Sequence, residues 1–544
     1  MRMLRWAVPI AVLAVAALLR FWALGRPGTL VFDELYYVRD AISQLAHGFP
    51  TVWPDDEPGM AAGRALAFTD DPSYAVHPPL GKWLIGLGIL VFGPDTGWGW
   101  RSASALAGVA TVGLTMRLGY LLTRSLPIAW LAGLLLALDG VHVTLSRVGL
   151  LDGFLTCFVV LGAVLVWRDH EQVRGAGRSA RRGDGTSTST STSEGTGTGT
   201  CTSTGRGTGG AIPVIVWRPW LLAAGLAFGA AAAVKWSGLY PLACFLVLIT
   251  VRDAVVRIRQ RSPRPVGRAA LQAAVAAVTA LPAAAAVYLA SWAGWIVRPG
   301  GWGRDAGANW FDSLVQYHAE MLAWHGTLSA PHPYQAHPLS WPLALRPTAM
   351  YEVDWGAAEG CPWSACVSGI TPLPNPLITW AGVAALIALV ALVVHAWRHG
   401  PARPRPVDPL VMAGSFVVVG YLSGWLPWVL TFSRSAVFQF YAVVMTPFAA
   451  LALALVLGLL CGFSVRGGPT ARSGPAGRGG GPGGAALSSG IGDPSPEALR
   501  SRRLSVACFV IVAGLVALLF FPIWSGMPIA EWFWRAHMWL PGWS

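Results

Sequence analysis

The chain has 544 residues, 54% of them hydrophobic and only 12% charged. Soluble domains carry roughly twice that charge fraction, so a soluble globular fold is excluded and a multi-span membrane protein is implied. The net charge of +13 does not point to nucleic acid, because much of the Arg lies in short segments between apolar runs. Taken in chain order, apolar runs cover 4–24, 102–120, 126–145, 149–167, 219–234, 237–251, 269–296, 376–397, 408–430, 437–462 and 504–523. Most approach or exceed the ~20 residues that cross a hydrocarbon core, which predicts an all-α polytopic protein of about 11 transmembrane helices. The first run lacks a small-residue cleavage site and reads as a retained helix. Residues 83–93 are apolar but too short to cross, and read as an interfacial or re-entrant helix.

Charge orients these spans. The Arg-rich connections 168–182, 252–268, 398–405 and 466–503 all fall on one side together with Arg2 and Arg5. By the positive-inside rule that side is the cytoplasm, so the N-terminus is inside and the C-terminus outside. The whole chain, 1–544, reads as a single integral-membrane domain. Within it, 25–101 is a first outer loop containing the interfacial helix, and 297–375 is a large outer loop. The Ser/Thr/Gly-rich linker 182–212 and the Gly/Pro/Ser-rich loop 463–503 lack the apolar side chains needed to offset ordering, and are expected to be disordered on the cytoplasmic face.

This orientation gathers the unusual polar residues on one face. Asp33-Glu34 follows the first span directly, and ionisable groups at a bilayer boundary are costly unless water, a partner or a reaction keeps them there. The same face receives Asp70-Asp71, His77-Pro78-Pro79-Leu80-Gly81-Lys82, Arg101, His142, Arg147, Asp152, Lys235 and Arg434. The only two lysines are Lys82 and Lys235, each preceding a Trp. Asp152 reads as a helix cap or network residue, with His142 and Arg147 as candidate partners. His318, His325, His332 and His337 share one loop without ligand-type clustering, and no metal site is expected. Four cysteines, Cys157, Cys244, Cys461 and Cys508, fall in apolar runs, and Cys201 lies in the linker. Cys361 and Cys366 share the large outer loop, where a disulfide is expected if that face is oxidising.

An enzyme on that face has no cytosolic nucleotides to draw on, so an activated group must arrive on a lipid carrier. Moving it needs a carboxylate base for an acceptor hydroxyl, cations for a phosphate leaving group and a greasy groove for the tail. Asp33 or Glu34 supplies the base. Arg101, at the start of the second span, offers a bidentate fork for phosphate.

Several runs together resemble the actinobacterial protein O-mannosyltransferases. They are Phe32-Asp33-Glu34 with Tyr37, Asp71-Pro72 with His77-Pro78-Pro79-Leu80-Gly81-Lys82, and Gly99-Trp100-Arg101. Leu150-Leu151-Asp152-Gly153, Lys235-Trp236-Ser237-Gly238, Gly424-Trp425-Leu426-Pro427-Trp428 and Phe440-Tyr441-Ala442 continue the series, with Cys361 and Cys366 between. The resemblance implies a C-type glycosyltransferase fold in the plasma membrane. It also implies inverting transfer of mannose from a polyprenyl-phosphate donor to Ser or Thr of exported polypeptides. Asp33 would then be the base, Glu34 would engage the acceptor, and Arg101 would meet the donor phosphate. Asp71, His77, Lys82, Asp152, Lys235 and Arg434 would line the substrate site. Membrane lipids surround the enzyme, and the secretion translocon is a candidate neighbour. No organic cofactor is expected, and a need for a divalent cation is left open. Two alternatives stand beside this reading: a related lipid-phosphate-sugar transferase acting on a glycan or lipid, and a transporter, for which no internal repeat is visible.

Overall fold

The computed structural model describes residues 3–54, 67–183, 212–329, 331–399, 408–431, 434–465 and 495–543. Among these, nine helices are long and apolar enough to cross a membrane, from Leu4–Phe21 to Pro496–Ser525. Leu126–Ala137 and Pro219–Val234 are shorter apolar helices at two further expected positions, and Leu80–Phe92 is a third. The expected 126–145 helix is divided. It ends at Ala137, and the Asp139 carboxylate accepts from His142 N at 2.8 Å to cap a new helix, Gly140–Leu145.

Between helices in lipid the drive to associate is close contact rather than water exclusion, and small residues make that contact possible. A methyl placed on Gly225 or Gly229 would come within 2.5 Å of the Ala280 or Ala284 backbone, so Pro219–Val234 and Pro265–Ser291 touch along their main chains. Gly88 likewise sets Leu80–Phe92 on Gly97–Thr123, where an added methyl would meet Gly99 O at 2.4 Å.

Two expectations need correction. The chain is not wholly helical: β1 (Tyr351–Gly356) pairs with β2 (Ala365–Ile370), and β2 with β3 (Pro528–Ala530), in an antiparallel sheet. The Cys361–Cys366 disulfide, with Cα atoms 5.7 Å apart, closes the β1–β2 connection. The expected disordered loop 463–503 is helical from Pro496, where Pro fills the first helical turn and the Ser495 hydroxyl accepts from Ala498 N at 3.2 Å. The rest of that loop beyond residue 465, and nearly all of linker 182–212, lies outside the described residues.

Connectivity brings the C-terminal end of Leu4–Phe21, the N-terminal ends of Gly97–Thr123 and Asp152–Gly183, and the C-terminal ends of Pro219–Val234 and Pro409–Val429 to one end of the bundle. The polar residues singled out above occupy those ends.

Candidate active site

Asp33 and Glu34 are adjacent, yet their side chains have different fates. Glu34 opens the helix Glu34–His47 and is fully buried. Arg101 grips it with two N–H donors, Nε to Oε1 and Nη2 to Oε2, each at 2.7 Å. Backbone N–H groups of Val31 and Gly149 donate to the same carboxylate at 2.9 and 2.7 Å. The rest of the Arg101 fork donates to the carbonyls of Pro27 and Thr29, both at 2.9 Å, and to that of Leu24 at 3.4 Å. Neither side chain has any exposed surface. Arg101 therefore has no N–H left for a phosphate, and Glu34 is held away from any acceptor. In this arrangement both side chains fasten the 24–34 turn that carries Asp33.

Asp33 is only partly buried, and no cation bonds its carboxylate among the described residues. The residue before it, Phe32, takes φ +48°, a left-handed conformation that a bulky side chain adopts only when its surroundings impose it. The Asp33 carboxylate accepts from the Tyr37 hydroxyl at 3.4 Å, one helical turn on. Its pKa is raised from the ordinary 3.8 to about 6, chiefly by burial, with the Asp152 carboxylate adding to the rise while Lys235 and Tyr37 oppose it.

Asp152, first residue of its helix, holds the Lys235 ammonium at 3.0 and 3.1 Å. His142 and Arg147 are not its partners: His142 Nδ1 bonds Arg20 Nη2 at 2.7 Å, and Arg147 donates to the carbonyls of Leu19, Arg20 and Trp22. The Lys235 ammonium also lies 4.1 Å from the centre of the Tyr441 ring. Arg434 donates through Nη2 to the Tyr441 hydroxyl at 3.4 Å and through Nη1 to His325 Nδ1 at 3.1 Å. It is only half-buried and keeps further N–H groups of its fork free of these bonds. His325 stacks on His77 at 5.3 Å, and His77 tilts against Tyr37 at 5.9 Å, which closes the ring of contacts back to Asp33.

Lys82 stands behind this ring. Its ammonium donates to His77 O at 2.9 Å and pairs with Asp40 at 3.3 Å, so it fixes the His77-Pro78-Pro79 turn. Asp71 has an exposed carboxylate, and its backbone carbonyl accepts from Val52 N. Among the described residues no contact joins that carboxylate to the cluster. The remaining loop histidines serve local structure: His318 bonds Tyr288, and His332 and His337 accept from Tyr334 N and Leu339 N.

Sequence reasoning missed Tyr37, Tyr441 and His325 as site residues. Tyr37 carried a usable signal, since a residue four beyond Asp33 shares its helix face. Tyr441 stood in the run Phe440-Tyr441-Ala442 without a role assigned to it, and both it and His325 reach the site from elements hundreds of residues away.

Residues 10–193 match the family described as dolichyl-phosphate-mannose-protein mannosyltransferase, and 310–543 match the C-terminal four-span region of protein O-mannosyltransferase. A protein of Mycolicibacterium smegmatis strain MKD8, named polyprenol-phosphate-mannose–protein mannosyltransferase, is 31% identical over 99% of this chain and 93% of its own length. A Mycobacterium tuberculosis (strain CDC 1551 / Oshkosh) protein of the same name is 30% identical over 100% of this chain and 92% of its own. The S. cerevisiae Pmt1–Pmt2 protein O-mannosyltransferase complex, solved bound to its sugar donor, superposes with a TM-score of 0.66 at 15% identity, over 99% of this chain and 92% of the other. The fold is that of the C-type glycosyltransferases. On near-complete coverage at this identity, the chain belongs to the protein O-mannosyltransferase family.

Proposed function

We propose that this chain transfers mannose from a polyprenyl-phosphate donor to Ser or Thr hydroxyls of exported polypeptides, at the outer face of the plasma membrane. One observation carries the chemistry. Asp33 is the carboxylate of the cluster that no cation bonds among the described residues, and it stands in one network of contacts with Lys235 and Arg434. Asp33 takes the proton of the acceptor hydroxyl as that oxygen attacks the anomeric carbon. The bond from that carbon to the phosphate oxygen breaks, and the lipid phosphate departs with the electron pair. Lys235 and Arg434 meet the charge growing on it. Asp152 and the Tyr441 ring hold the ammonium in place, while Tyr441 and His325 hold the guanidinium.

A single base without a nucleophilic partner supports one displacement, hence inversion. Glu34 is locked on Arg101 and Asp152 on Lys235, so neither is placed to form a covalent glycosyl intermediate. The reading is tested by offering membranes labelled polyprenyl-phosphate mannose with a Thr/Pro-rich peptide. Label in the peptide supports it. Label confined to glycan or lipid would favour the related lipid-phosphate-sugar transferase instead.

Two further outcomes are expected. Because Asp33 must be ionised to act and its pKa stands near 6, kcat/KM should be flat above about pH 7 and fall roughly tenfold per unit well below 6. A profile unchanged down to pH 5 would remove Asp33 from the base role. Arg434→Gln should raise the KM for the lipid donor while leaving that for the peptide near wild type.

The linker offers a check on orientation. Its flanking arginines, Arg168, Arg174, Arg178, Arg181 and Arg182, hold it on the cytoplasmic side. Deletion of residues 184–210 should leave insertion and transfer close to wild type, and threonines of the intact linker should carry no mannose. Mass spectrometry of the linker peptides reads this directly. The secretion translocon belongs to the same proposal as a neighbour that delivers unfolded acceptors to this face.

A further inference from the structure

The helix Trp310–Thr327 begins at Asn309, whose side chain accepts from Phe311 N and Asp312 N at 2.9 and 3.1 Å. At about 100° per residue its side chains fall into three sectors. Ser313, Leu314, Tyr317 and Met321 are buried against the protein. Asp312, Gln316, Glu320 and Thr327 form an exposed polar sector about 110° around the axis from them. On the third side Phe311, Val315 and Leu322 lie within roughly 40° of one another about the axis. They are 54%, 55% and 65% exposed. This stripe runs roughly 16 Å along the helix, and at its start the Phe311 ring approaches the neighbouring Trp310 edge-on at 5.8 Å.

Its position says what covers it. His318, on the inner side of the same helix, bonds at 2.7 Å to the hydroxyl of Tyr288, which lies in the last turn of the candidate membrane span Pro265–Ser291. The helix is thereby tied to the level at which a span leaves the bilayer. Exposed apolar surface continues from that span through Leu289 and Val297. Three side chains offer far less than the ~800 Å² per partner that a standard protein interface buries, so a second copy of the chain is a poor occupant. An apolar stripe beside a polar sector is what an in-plane interfacial helix presents to a membrane.

We propose that the Phe311–Val315–Leu322 stripe is seated in lipid at the membrane surface beside the cleft, with the Asp312–Gln316–Glu320 sector turned to water. The inner side of this helix carries His325, which donates through Nε2 to Val76 O at 2.9 Å and accepts from Arg434 through Nδ1. Seating in lipid thus sets the height of one wall of the cleft, where a donor with a lipid tail must arrive. The proposal does not depend on which sugar is moved or to what.

The test places a nitroxide at Cys substituted singly for Phe311, Val315, Leu322, Asp312, Gln316 or Glu320. The host is the full chain with its Cys361–Cys366 disulfide kept and its other cysteines replaced by Ser, reconstituted in phosphatidylethanolamine–phosphatidylglycerol bilayers. Power-saturation EPR then compares collisions with oxygen, which concentrates in lipid, against a neutral nickel chelate, which stays in water. The ratio should favour oxygen at 311, 315 and 322 by at least about tenfold over 312, 316 and 320. Three stripe positions guard against one variant failing to insert. Equal chelate access at all six positions would overturn the proposal. Dipolar broadening between labels at the stripe would overturn it too, by placing a second copy there.

Discussion

Asp33→Asn is expected to lower mannosyl transfer by at least about a hundredfold, the scale on which loss of a general base is felt. The substitution keeps the size of the side chain and the contact with Tyr37, and it removes no ion pair, because no cation bonds Asp33 among the described residues. Abundance in the membrane and thermal midpoint should therefore match wild type, and donor binding should persist. The conservative partner is informative as well. Tyr37→Phe removes the hydroxyl that donates to Asp33 and relieves part of what opposes the rise in its pKa. The acid limb of its pH profile should move upward, with a much smaller loss at the plateau. Wild-type-like transfer by Asp33→Asn would remove the base from this account.

Arg101 gives the second large effect, and of a different kind. Removing one partner of a buried ion pair typically costs about 3–5 kcal/mol, since the other charge stays buried and uncompensated. Arg101→Ala should accordingly deplete the protein from the membrane as well as abolish transfer. Arg101→Lys keeps the charge but cannot reproduce two parallel bonds to Glu34 together with bonds to three carbonyls. Its thermal midpoint should fall, with kcat lowered and the donor KM nearly unchanged. A residue that clamped phosphate would show the reverse, a large rise in donor KM at normal stability. The double variant Arg101→Met with Glu34→Leu should recover stability without activity, because it removes both charges at once.

How far the sequence carried these conclusions varied with the range of the contact. The membrane class and the helix positions followed from local composition, which left Asp33 or Glu34 open as the base, and the family resemblance pointed to Asp33. The role of Arg101 followed from neither. Its fork was recognised as suited to an oxyanion, but a carboxylate 67 residues away had already filled it. Adjacent residues on a helix point in different directions, so the Asp-Glu pair divides into one group facing the cleft and one facing the core. The break at Asp139 lay inside the apolar run 126–145, which was read as one helix on its length. The sheet could not be read, since β3 is three residues long and joins a partner more than 150 positions earlier in the chain. Lys82 and Lys235 looked alike, each before a Trp. Only the fold shows that the first braces a turn and the second lies over Tyr441 at the cleft.

The central claim is that Asp33 acts alone as base in one displacement at the anomeric carbon, with lipid phosphate as leaving group. The anomeric configuration of the product tests it most directly. Purified protein in bilayers is given polyprenyl-phosphate mannose of known anomer and a Thr-containing peptide, and the configuration of the mannosyl-threonine formed is read by NMR. The account predicts the anomer opposite to that of the donor. A product that keeps the donor's configuration would require a covalent intermediate on a second carboxylate, and would contradict it.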